Sequence, residues 1–129
     1  MKKIFNFANR GQSIIEVVIA LAIVAIVIVG LVKVTTISMN NGSFARDQQT
    51  ATKYAQEGLE NARKLKEEDI NVFWKKSGVE TEIIGKFVRQ ITYTIIEANQ
   101  TMKVEVLVTW QDSKGTHQSS LETSLTKWK

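Results

Sequence analysis

The sequence predicts an α+β chain in which one long N-terminal helix, membrane-spanning in its first half, packs on a small C-terminal antiparallel sheet. Three observations predict it: an unbroken apolar run near the N-terminus, small and apolar residues at helical spacing after it, and period-two alternation beyond Phe87. The 129 residues include no Cys, no Pro and one His. Disulfides, thiolate nucleophiles and multi-histidine metal sites are thereby excluded within one chain, and no catalytic, cofactor or metal site is expected.

The first element is the apolar run. Residues 17–32 read VVIALAIVAIVIVGLV, sixteen residues without a charge. As a helix they span about 24 Å, and residues 14–16 extend this toward the ~30 Å hydrocarbon core of a bilayer. Ten of the sixteen are Val or Ile, which in water favour strand. Lipid reverses that preference, because a lone segment there must satisfy its backbone internally. Lys2, Lys3 and Arg10 precede the run and only Lys33 follows it closely, so the N-terminus faces the cytoplasm in a single pass through the cytoplasmic membrane. The Ala-x-Ala at Ala20 and Ala22 lies inside the run, where a secretory cleavage site does not belong.

The net charge of +4 has the same origin. Residues 1–11 hold three basic residues and no acid; without them 14 basic residues face 13 acidic ones. A nucleic-acid partner is therefore disfavoured on charge. Glu16 is the anomaly, a carboxylate at the entrance to the hydrocarbon, where a charge carried to the bilayer centre costs roughly 2.5–3.5 kcal/mol or more.

Arg10, Gly11, Gln12, Ser13, Ile14, Ile15 and Glu16, followed at once by the apolar run, resemble the N-terminal processing motif of type IV prepilins. The resemblance implies a leader ending at Gly11, cut by a prepilin peptidase on the cytoplasmic side. Gln12 becomes the new, commonly N-methylated terminus, and Glu16 the family's acidic residue that pairs charges during assembly. Three departures stand out: Gln12 replaces the frequent Phe or Met, the helix carries only Gly30 and no Pro, and no Cys can close a C-terminal loop. The segments expected are a leader at 1–11, a transmembrane and assembly helix at 12–39, and an extracytoplasmic pilin-like domain at 40–129.

Beyond the membrane, Asn40, Asn41 and Gly42 predict a bend, since each is a poor helix former. Phe44, Ala51, Ala55, Gly58, Ala62 and Leu65 then share one helical face to about Glu68, small enough for a sheet to approach closely. Phe87, Ile91, Tyr93 and Ile95 form one strand face, with Arg89 an exception to the alternation. Met102, Val104, Val106, Val108 and Trp110 form another, and residues 112–115 turn into a weaker strand at about 116–125. The C-terminal VEVLVTWQDSKGTHQSSLETSL also resembles the last strands of some minor pilins and pseudopilins.

The expected function is a non-enzymatic minor pilin or pseudopilin of a type IV pilus or type II secretion-like filament. It is processed by prepilin peptidase and then assembled with other pilin subunits at the cell surface or in the periplasm. Two alternatives remain at this point: an uncleaved signal-anchored binding domain, and a DNA-uptake pseudopilin using Lys64, Lys66, Lys75 and Lys76. His117, without a second His or a Cys, reads as a surface or strand residue.

Overall fold

The computed structural model describes residues 8–97 and 100–127, with the side chains of residues 8–12 and 97 left out of account. The chain divides into two compact units, Met1–Gly42 and Ser43–Lys129.

In the first unit every described residue is helical, as part of α1 (Ala8–Glu68). The large apolar side chains of residues 14–39 are each 53–72% exposed among the described residues. Thr35 and Thr36 direct their hydroxyls back to the carbonyls of Leu31 and Val32, at 2.9 and 3.0 Å, which satisfies both without water. Asn40, Asn41 and Gly42, where the sequence predicts a bend, are all helical. A single glycine costs a helix only about 1 kcal/mol, and with no proline every amide keeps its donor.

In the second unit residues 43–68 of α1 are followed by α2 (Ile70–Lys75), β1 (Gly78–Ile84), β2 (Phe87–Glu97), β3 (Thr101–Asp112) and β4 (Gly115–Thr126). The strands form one antiparallel meander in the order β1-β2-β3-β4. Ala51, Ala55, Leu59 and Ala62 of α1 are buried against Met102, Val104, Val106, Val108 and Trp110 of β3, with Phe87 and Tyr93 of β2 beside them. The small residues matter because they let the backbones approach. A Cβ on Gly58 would lie 3.0 and 3.2 Å from the two methyls of Val106, closer than side chains ordinarily pack, so a larger residue there must push the Val106 side chain aside.

Two elements were not expected. In α2, Asp69 Oδ1 accepts from the amides of Asn71 and Val72, both at 3.1 Å, and Phe73 is buried. The capping residue followed by Ile70, Phe73 and Trp74 at helical spacing was the available signal. Strand β1 joins β2 through a tight turn at Gly85 and Lys86, whose positive φ at Gly85 (61°) suits a residue without a side chain. Its residues are exposed up to Ile83, so burial gives it no apolar face.

Arg89 is no exception to the pattern but part of the inward face. It is 4% exposed, donates from Nη1 to the Tyr54 carbonyl at 3.2 Å, and pairs with Glu82 and, at 3.7 Å, with Glu57. Its aliphatic stem passes Gly58, so it packs as a hydrophobe while its head meets exposed carboxylates.

The β3–β4 turn is held by Asp112, whose Oδ1 accepts from the amides of Lys114 (2.7 Å) and Gly115 (3.1 Å) and lies 2.9 Å from His117 Nε2. The His117 ring sits edge-on to Phe44 and beside Trp110, as the strand reading of this residue predicts. The His117 contact first, and the Lys114 amide next, hold the Asp112 carboxyl below its ordinary pKa.

Two predictions follow from these contacts. Gly58→Val should destabilise the second unit by about 1–3 kcal/mol through overpacking against Val106, read as a lower melting temperature by circular dichroism. Because folding lowers the Asp112 pKa, its contribution is complete above the unfolded value near 3.9 and disappears as pH falls through the folded one. The melting-temperature gap between the wild type and Asp112→Ala should therefore shrink as pH falls below about 4.

Candidate membrane and assembly helix

Residues 13–42 of α1 carry the site, and among the described residues they are held by their own helix. The segment is long and apolar enough to cross a membrane, and none of its apolar window is buried. Of the cleavage pair expected from the sequence, Gly11 and Gln12, only the backbone lies within the described residues, and it is helical. Residues 1–7 of the expected leader lie outside them.

Glu16 is exposed, on the first turns of the helix whose side chains are described. Position 12 precedes it by four residues, one helical turn and about 6 Å along the axis. A new amine there would stand beside the Glu16 carboxylate. Between Ser13 and Ala45 the only charged side chains are Glu16 and Lys33. Lys33 lies within the exposed apolar column, because Val34, Ile37 and Met39 continue it on the far side. The apolar residues after Lys33 were the signal for this, and they carry the same exposure as those before it.

The family described as the prokaryotic N-terminal methylation motif matches residues 6–32. The chain carries the prepilin-type signal. The matched prepilin-type segment takes in Gly11, Gln12, Glu16 and all of the apolar run at 17–32. No curated protein and no solved structure matches the chain. Behind the signal stands a pilin-like α+β architecture, a long helix with a four-stranded antiparallel sheet.

Among the described residues no group of three or more His, Asp or Glu side chains is placed to hold a metal ion. A surface hollow of about 820 Å³ is lined by Arg46, Gln49, Thr50, Thr52, Lys53 and Gln56, without a carboxylate or imidazole to serve as a base. Lys76, one of the basic residues considered for nucleic acid, is paired with Glu80 and lies over the Tyr93 ring. Trp110 is buried and Trp74 half-buried, while Trp128 falls outside the described residues.

Proposed function

We propose that this chain is a minor pilin or pseudopilin, a structural subunit of a type IV pilus or type II secretion-like filament. One observation carries the reading: the prepilin-type signal opens directly into an apolar helix that the rest of the chain leaves uncovered. Before assembly the lipid of the cytoplasmic membrane covers that helix, with the N-terminus in the cytoplasm as Lys2, Lys3 and Arg10 favour. Prepilin peptidase cuts between Gly11 and Gln12, and Gln12 receives the methyl group. The helix, retained because the cut lies on its N-terminal side, then exchanges lipid for the helices of other pilin subunits.

Glu16 gives that exchange direction. A carboxylate moved from the headgroup edge into a bundle of apolar helices is costly unless it meets a cation. The ammonium created at Gln12 supplies one, on the same helix or on a neighbour.

Intact mass and N-terminal sequencing of the protein from native membranes test the processing step. A mature chain beginning at Gln12 is expected, whereas one still beginning at Met1 beside an active prepilin peptidase would identify an uncleaved anchored domain. Glu16→Ala should leave membrane insertion unchanged and reduce recovery in sheared filaments. Wild-type recovery of that variant would refute the pairing role.

A further inference from the structure

Glu16 and Lys33 are the only two charges in a helical stretch that the chain itself does not cover, and they are of opposite sign. Neither has a partner among the described residues. They cannot meet within one molecule, because seventeen residues of helix separate them by about 25 Å. In the membrane each can reach an opposite headgroup layer, Glu16 at one end and Lys33 toward the other. In an assembled bundle those headgroups are gone, and Lys33 then needs a carboxylate at its own level.

We propose that Lys33 of one copy pairs with Glu16 of a second copy, setting adjacent parallel helices at an axial offset of about 25 Å. The inference rests on the filament reading above and adds a register to it. The occupant of this helix face is a second copy of the chain, and the argument for it is charge complementarity within an otherwise uncharged column. A carboxylate has room for both the Gln12 amine of its own helix and a Lys33 ammonium from the neighbour, since its two oxygens offer about four acceptor sites.

The geometry also makes the contact open-ended. Seventeen residues at about 100° each place Glu16 and Lys33 about 100° apart around the axis, so one copy meets two different neighbours through them. Parallel helices displaced in the same direction at each step form a heterologous contact that does not close into a dimer. A row of such contacts propagates.

The absence of native cysteine makes the register directly testable in the full chain, expressed in its own host with the processing machinery. Ile23 and Asn40 each lie seven residues beyond a member of the charge pair, almost two turns on, and therefore on nearly the same faces. In Ile23→Cys/Asn40→Cys the two thiols are too far apart to join within one helix, because a disulfide requires Cβ atoms about 4 Å apart. Oxidation of assembled filaments with copper-phenanthroline should give a ladder of covalent multimers, and each single-cysteine variant at most a dimer. Lys33→Gln should lose filament recovery while Lys33→Arg retains it.

Filaments of the double-cysteine variant that yield no ladder would overturn the register and leave the filament reading standing. Wild-type recovery of Lys33→Gln would also overturn it, assigning Lys33 to lipid headgroups instead. If the processed wild-type chain enters no filament at all, the filament reading falls and the pairing falls with it.

Discussion

An apolar helix that its own chain leaves uncovered cannot persist in water, and this constraint governs the rest of the molecule. About 25 cal/mol per Å² of apolar surface is gained on leaving water, so residues 14–39 hold a large reserve of burial that the fold does not use. The second unit is complete without them, with its own core of Ala51, Leu59, Phe73, Val106 and Trp110. Folding and insertion are thus separate problems assigned to separate parts of the chain. The backbone of α1 serves both, since its hydrogen bonds are internal in either solvent.

Small residues play opposite parts in the two units. In the second, Ala51, Ala55, Gly58 and Ala62 form the contact itself, and a Cβ on Gly58 would crowd the methyls of Val106. In the first, Ala20, Ala22, Ala25 and Gly30 are scattered among Val, Ile and Leu without any intramolecular partner. The same residue types therefore mark a packed face only where something in the chain lies opposite.

The apolar helix, long enough to cross a membrane, was legible in the sequence because its character is set locally. Its composition, its charges and the Gly11–Gln12 motif are local facts, and locality is what a sequence displays. The helix face of residues 44–65 and the buried alternation of β3 were legible for a related reason: burial on one side imposes a period. Strand β1 escaped because its residues are exposed up to Ile83, so no period was imposed, and α2 escaped because two turns are too few to establish one. Arg89 looked like a fault in the β2 pattern since its partners, Tyr54, Glu57 and Glu82, lie on α1 and β1 and become neighbours only after folding.

Burial and charge contribute differently to any assembly of this helix. Apolar burial is non-directional, and a smooth column of Val, Ile and Leu can slide along a similar column with little change in buried area. Such a column supplies attraction but no register. A charge within it is costly everywhere except opposite its counter-charge, so one or two charges convert a sliding contact into a stepped one. Glu16 and Lys33 are the only residues between Ser13 and Ala45 able to do this. In the proposed filament their spacing along the helix, rather than the many apolar side chains around them, would set the step between copies.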